Sequence, residues 1–181
     1  LLQSIRAWAR AEKLEYYDQR KHTGVLRHLM VREGKNTGEA IVVLFVTDDF
    51  NEKTFVQAVE NVMPSAHIMA AVNNGLADTA APESLRVLKG KDHIFEKIVL
   101  TDESGKTVRE VTFKLSPQAF FQTNTLTAQK MYSRVRALVK KLAPRRIYDL
   151  YGGAGSFSLS CADLCEKSVC VESVAPCLLY T

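Results

Sequence analysis

The sequence lacks any apolar run long enough to cross a membrane; none approaches the roughly 18 residues that a spanning helix needs. The opening LLQSIRAWARAEK is an amphipathic helix pattern with charges scattered through it, unlike a signal peptide. No cysteine precedes Cys161, and the four present, Cys161, Cys165, Cys170 and Cys177, are spaced C-x3-C-x4-C-x6-C. That spacing matches no CxxC zinc or redox signature, so no metal ligand is assigned and free thiols in a reducing cytoplasm are expected. Internal repeats and low-complexity tracts are missing. So is an initiator Met, and the chain therefore reads as a piece of something longer.

What is present is ordinary globular composition: 46% of the 181 residues are hydrophobic and 24% charged. The length allows one domain or two small ones. A net charge of +4 and a pI near 8.9 fit a nucleic-acid partner without requiring one.

The first 115 residues read as an α+β domain. A helix is expected over about Leu2 to Leu14. GVLRHLMVRE (Gly24 to Glu33) and AIVVLFVT (Ala40 to Thr47) read as strands joined by the Gly/Asn-rich EGKNTGE, a β-hairpin. DDFNEKTFVQAVENVMP reads as a capped helix with Phe55, Val56, Val59 and Val62 on one side. AHIMAAVN is a further strand ending at Asn73-Asn74-Gly75, and HIFEKIVLTDESGKTVREVTFKLSP is a hairpin turning at Asp102 to Gly105. The expected architecture is an antiparallel sheet with two helices on it.

The pattern changes at Ser116-Pro117, where a domain boundary is drawn. Leu126, Met131, Val135, Leu138 and Leu142 recur at helical spacing up to Pro144. RRIYDL is then a strand, GGAGSF a turn, SFSLSCADLC a helix and KSVCVES a strand. That β-turn-α-β order opens a doubly wound parallel sheet, so residues 116–181 are expected to be the start of a Rossmann-like domain.

The segment DLYGGAGSF, Asp149 to Phe157, sits where such folds bind ligands, at the carboxyl edge of the sheet. A dinucleotide fingerprint needs G-x-G-x-x-G, and here Ser158 stands where the third glycine belongs. The alternative is D-x-x-x-G-x-G, the turn that binds S-adenosylmethionine (SAM). Glu172 follows Gly153 by 19 residues and closes the next strand, where a carboxylate can accept from both ribose hydroxyls. Such charge-assisted bonds are each worth about 1.5–3 kcal/mol, or about tenfold or more in affinity. NAD enzymes use the same device, so Glu172 alone does not choose the cofactor.

SPQAFFQTN (Ser116 to Asn124), DLYGGAGSFSL and VES, in this order and spacing, resemble the RNA uracil-5-methyltransferases, which make 5-methyluridine in tRNA or rRNA. The resemblance covers Ser116 to Glu172, and GVLRHLMVR (Gly24 to Arg32) is similar to a segment of the family's central domain. It implies SAM as cofactor and RNA as partner, in the cytoplasm and away from membranes. It implies that Gln122 contacts the methionine end of SAM and that Tyr151 lines the pocket, with Gly153 and Gly155 in the turn. Ser156, often asparagine in the family, keeps a polar group there, and Glu172 holds the ribose. Gly152 replaces a common cysteine. Asn124 is alternatively a helix N-cap, and Phe120 and Phe121 are alternatively core.

The departures concern chemistry. The family's nucleophile is a cysteine in an (S/N)-C-x-P setting, followed later by a general-base glutamate, whereas APCLLYT puts proline before Cys177. None of the four cysteines fits, so both catalytic groups are expected downstream of Thr181 and the chain alone is expected to be inactive. The family's RNA-binding barrel and iron–sulfur cysteines are absent from these residues as well. A lone half-sheet is expected to need a partner, most simply a second copy of the chain, or to be disordered. Three other readings stand: a methyltransferase acting at another nucleic-acid position, a non-catalytic RNA-binding module on DQRKHTGVLRHLMVREGK and KKLAPRR, and, last, a dinucleotide oxidoreductase.

Overall fold

The computed structural model describes residues 1–77 and 82–173. Among these, no helix is long and apolar enough to cross a membrane. Contacts divide the chain into two compact units. One comprises Leu1–Glu33 with Glu39–Ile94, the other Gly34–Gly38 with Phe95–Thr181.

The first unit holds α1 (Leu2–Ala11), β1 (Leu26–Glu33), β2 (Ala40–Val46), α2 (Glu52–Glu60), β3 (His67–Val72) and β4 (Ser84–Lys89). They form a four-stranded sheet of order β1-β2-β3-β4. β1 and β2 are the expected hairpin, with Leu29 opposite Leu44. The expectation of an antiparallel sheet is corrected at the centre: β2 and β3 run parallel, from Ile41 opposite His67 to Val46 opposite Val72. The reason is α2, which carries the chain back across the sheet and makes a βαβ unit. β4, in SLRVLK, was not anticipated; it pairs antiparallel with β3 and has no fully buried residue.

Every residue of β2 is buried, as its unbroken AIVVLFV run requires. On one side Val42, Leu44 and Val46 pack with Ile5 and Trp8 of α1 and Phe55 and Val59 of α2. Ile5, Trp8 and Ala9 lie one turn apart, which puts them on one face of α1. Trp8 donates its indole N–H to Thr54 Oγ1 at 2.9 Å and meets the Phe55 ring at a 5.1 Å centroid distance. Asn51 caps α2 by accepting from the Thr54 N–H, and the helix stops at Glu60, leaving Val62 exposed beyond it.

The second unit holds β5 (Ile94–Thr101), β6 (Thr107–Leu115), α3 (Thr125–Leu142), β7 (Arg146–Leu150), α4 (Ser156–Cys161), a 3-10 turn (Ala162–Leu164) and β8 (Lys167–Val171). β5 and β6 form the expected hairpin. From Phe95 onward it falls in the same unit as Gly34–Gly38, apart from the other residues before Ser116. Its inward residues alternate: Ile98 and Leu100 on β5, Val111, Phe113 and Leu115 on β6.

No second strand pairs with β5 among the described residues, and side chains take that place. Gln129 and Ser133, one turn apart on α3, accept from the backbone N–H groups of Val99 (3.2 Å) and Thr101 (3.0 Å). Asn36 Nδ2 donates to the Lys97 carbonyl at 2.6 Å and Thr37 Oγ1 to the Phe95 carbonyl at 2.6 Å. Glu96, 1% exposed, accepts from the N–H groups of Lys35, Asn36 and Lys97. Seven backbone groups, five of them on β5, are thus satisfied through side chains, where burying them unpaired would be costly.

α3 begins at Asn124, whose side chain accepts from the Thr127 N–H at 3.0 Å; Asn124 is therefore the N-cap. The helix ends at Ala143 in left-handed conformation, just before Pro144. The predicted apolar stripe is corrected here. Leu126, Leu138 and Leu142 are exposed, while Thr125, Ala128, Tyr132 and Arg136 are buried. Helical spacing is satisfied by both faces, and the polar-looking one is the covered one. β7 and β8 pair in parallel, from Arg146 opposite Lys167 to Leu150 opposite Val171, with α4 between them.

Candidate functional site

The site is built at the C-terminal end of β7. Tyr151 (φ 58°), Gly153 (φ 55°) and Gly155 (φ 68°) all take left-handed conformations, which reverse the chain from strand into α4 within five residues. The Gly152 N–H donates to the Val171 carbonyl at 3.1 Å, continuing the parallel ladder, and the Gly155 N–H donates to the Gly152 carbonyl at 2.8 Å. Gly152 is required for space. A Cβ there would lie 2.3 Å from Cys170 Sγ and 3.1 Å from Asp149 Cγ, so a larger residue displaces Cys170.

Two carboxylates frame the turn. Asp149, buried at the end of β7, accepts from the Ser158 N–H at 2.9 Å and ties the first turn of α4 to the strand. Glu172, just past β8, accepts from the Gly153 N–H through Oε2 at 2.9 Å. Nineteen residues of sequence are thereby closed into one hydrogen bond. The Ser173 hydroxyl lies 3.5 Å from the other oxygen, Oε1. The Phe120 ring and carbonyl lie about 3.6 Å from where a Gly153 Cβ would be, so the SPQAFFQTN segment reaches the same turn.

The other predicted residues divide. Tyr151 projects to solvent, 90% exposed, and Gln122 is exposed beside Phe120. Ser156 is buried on the protein side, beside the Tyr132 phenol. Burial pushes that phenol's pKa up, and the Ser156 hydroxyl pulls in the opposite direction. Ser158 is buried where a dinucleotide site would need a third glycine, and α4 leaves room for its side chain. Phe121 is half-buried and packs its ring 5.2 Å from that of Phe113, on the core side.

The described cysteines, Cys161, Cys165 and Cys170, are free thiols, and Cys177 lies outside the described residues. Burial pushes the thiols of Cys161 and Cys170 up, and nearby Asp149 pushes Cys170 further, so both stay protonated at neutral pH. Cys165 falls past the end of α4, after the 3-10 turn, so the helix expected through SFSLSCADLC stops at Cys161.

Among the basic residues, Arg27 is committed internally. Its guanidinium stacks 4.2 Å from the Tyr17 ring centroid and donates to the carbonyls of Asn73, Gly75 and Ala77. Arg145 pairs with Glu166, with Nε and Nη2 each about 3.0 Å from a carboxylate oxygen. Arg146 is exposed.

The sequence did not reveal the cluster behind α4. Arg136, from the buried face of α3, donates to the Ser160 carbonyl at 2.7 Å and grips Asp163 with both Nη atoms at 2.5 and 2.6 Å. Arg109 of β6 reaches the same carboxylate at 2.9 Å. The Arg136 hydrogen bonds hold the Asp163 carboxyl below its ordinary range, and Asp163 in turn raises Arg136. These partners are 27 residues apart, and no local pattern announces such a pairing.

No protein-family model matches the chain. By sequence it is 30% identical to an uncharacterized RNA methyltransferase of Clostridium acetobutylicum, over 96% of this chain and 37% of that protein. It is 26% identical to the 23S rRNA (uracil(747)-C(5))-methyltransferase of Vibrio cholerae, over 90% of this chain and 42% of that one. The chain thus spans less than half the length of these relatives. Its fold matches part of the crystal structure of Pyrococcus abyssi tRNA (uracil-54, C5)-methyltransferase in complex with S-adenosyl-L-homocysteine. The TM-score is 0.71 at 24% identity, covering 96% of this chain and 39% of that one.

Proposed function

We propose that this chain, similar to RNA methyltransferases that include a 23S rRNA uracil-C5 enzyme, is part of an enzyme that methylates C5 of a uridine in tRNA or rRNA. The observation that carries the proposal is the Gly153–Glu172 hydrogen bond, which puts a carboxylate at the mouth of a glycine turn. A ribose offers two hydroxyls to such a carboxylate, and the positive φ of Gly153 and Gly155 lets a ligand approach the main chain. The turn fits SAM better than a dinucleotide because Ser158 stands where a dinucleotide turn needs its third glycine.

In this reading Glu172 binds the ribose, and Gln122, beside Phe120, takes the methionine carboxylate and ammonium. Tyr151 covers the ligand, Gly153 and Gly155 shape the turn, and Ser156 supports it from behind through Tyr132. When bound, SAM supplies an electrophilic methyl group. The uridine must be made nucleophilic at C5, which takes an attacking thiolate and a base. Neither is assigned within these residues, so the chain by itself is expected to bind the donor and transfer nothing. Residues 116–181 are assigned to the start of the donor-binding domain and residues 1–115 to a central domain. RNA is the partner of the whole protein, and a second copy of the chain covers the β7–β8 sheet when that part stands alone.

Titration calorimetry tests the core of this. S-adenosyl-L-homocysteine is expected to bind in preference to NAD, and Glu172→Gln to weaken it about tenfold. Tighter NAD binding, abolished by Gly153→Ala, would assign the turn to a dinucleotide. Radiolabelled methyl transfer from SAM to unmodified RNA is expected to be undetectable, and label in 5-methyluridine would place the nucleophile within these residues. Sedimentation is expected to show pairing of the chain.

A further inference from the structure

α4 is too short to hold its own position. Six residues make under two turns, Gly155 provides no side-chain cap, and its buried side chains are Ser156, Ser158, Ser160 and Cys161. Isolated helices of that length do not form in water, so its placement comes from what grips its ends. Asp149 grips the first turn through the Ser158 N–H. At the other end the Ser160 carbonyl, one of the last four of the helix, receives the Arg136 guanidinium. The same guanidinium is fixed by both oxygens of Asp163 just beyond the helix, and Arg109 holds Asp163 from β6. Arg136 has only a tenth of its side chain exposed, so a lost partner would leave a buried charge uncompensated.

We infer that Arg136, Asp163 and Arg109 are positioning residues for the glycine turn: they clamp the C-terminal end of α4 and so set where Gly153 and Gly155 stand relative to Glu172. A rigid rod of about 9 Å, at 1.5 Å per residue, transmits displacement at one end to the other. The clamp belongs to the turn whatever ligand it takes. Only its effect on donor affinity rests on the reading given under Proposed function.

Amide hydrogen exchange followed by NMR on the intact chain, with variants Asp163→Asn, Asp163→Glu and Arg136→Met, tests the clamp. In Asp163→Asn and Arg136→Met the amides of Gly153, Gly155 and Ser158 are expected to exchange about tenfold or more faster, with those of Val43 on β2 and Phe113 on β6 unchanged. Asp163→Glu keeps the carboxylate and is expected to retain most of the protection. Unchanged exchange at the turn in both disruptive variants would overturn the inference. So would acceleration spread evenly over β5, β6 and α3, which is the signature of a merely structural ion pair. Should Arg136→Met fail to fold, Asp163→Asn, which leaves Arg136 and Arg109 in place, decides alone. In parallel, S-adenosyl-L-homocysteine affinity is expected to fall about tenfold in Asp163→Asn. Absence of binding by the unaltered chain would defeat the cofactor reading and leave the exchange result to decide the clamp.

Discussion

β2–α2–β3 and β7–α4–β8 are both parallel strand pairs crossed over by a helix, yet they are buried to opposite degrees. All seven residues of β2 are buried. On β7, Tyr148 is 61% and Leu150 63% exposed, and only Asp149 is buried. The helices differ in the same way. α2 inserts Phe55 and Val59 into an apolar core, whereas α4 buries serines and is fixed by Asp149 and Arg136. The βαβ connection therefore does not stabilise itself. The first pair draws its stability from apolar cover on α1 and α2, and the second is positioned by hydrogen bonds and charge.

The same substitution made in both strands breaks the comparison most sharply. Leu44→Ala in β2 is expected to cost about 2–5 kcal/mol in urea unfolding, because a buried leucine leaves a cavity. A cost under about 1 kcal/mol there would mean that the β2 core is not as packed as its burial implies.

Next in size is Gly152→Ala. Its Cβ would meet Cys170 Sγ at 2.3 Å, so overpacking is expected to cost about 1–3 kcal/mol. Pairing it with Cys170→Ala should recover a good part, and additive behaviour in that double-mutant cycle would show that the contact is not what excludes a side chain at this position. Much of this site is legible in the chain itself. The glycines and the acidic residue after the next strand, with their spacing, put Gly153 and Glu172 at one turn. What stayed hidden were pairings made at a distance. Arg136 sits in a helix whose leucines suggest the opposite face, and it is buried only because Asp163 and Ser160 arrive later in the chain. β4 was missed for another reason: Leu85 and Val87 alternate with polar residues over too few positions to stand out from the loop around them.

Acid should separate the two crossovers by a smaller margin. Asp163 faces Arg136, Arg109 and Cys161, and its folded pKa lies below the unfolded one. Its contribution is therefore complete above the unfolded value of about 3.9 and is lost as pH falls through the folded value. The carboxylate is 39% exposed, so solvent screens part of the effect. Exchange at Ser158 is expected to quicken below about pH 4 before exchange at Val59 does. Simultaneous loss would indicate that α2 and α4 are held by the same forces after all.

The smallest effect belongs to Leu150→Ala, the counterpart of the first substitution. At 63% exposure it is expected to change stability by no more than about 0.5 kcal/mol. A cost like that of Leu44 would reveal that something covers β7 in solution, and sedimentation of the same sample would say whether it is a second copy of the chain.

The side chains that seal β5 also set a schedule for synthesis. An uncovered strand edge is a template on which other chains aggregate. The β5–β6 hairpin can close as soon as Leu115 has emerged, but the seal waits for α3, because Val99 and Gln129 are 30 residues apart. At roughly 5–20 residues per second the ribosome needs about 1–4 s to go from Leu115 to Ser133. During that interval β5 has no Gln129 or Ser133 to meet its N–H groups. A chain with Gln129→Ala and Ser133→Ala never closes the interval, so it should lose soluble yield on expression well before it loses much stability as a purified protein.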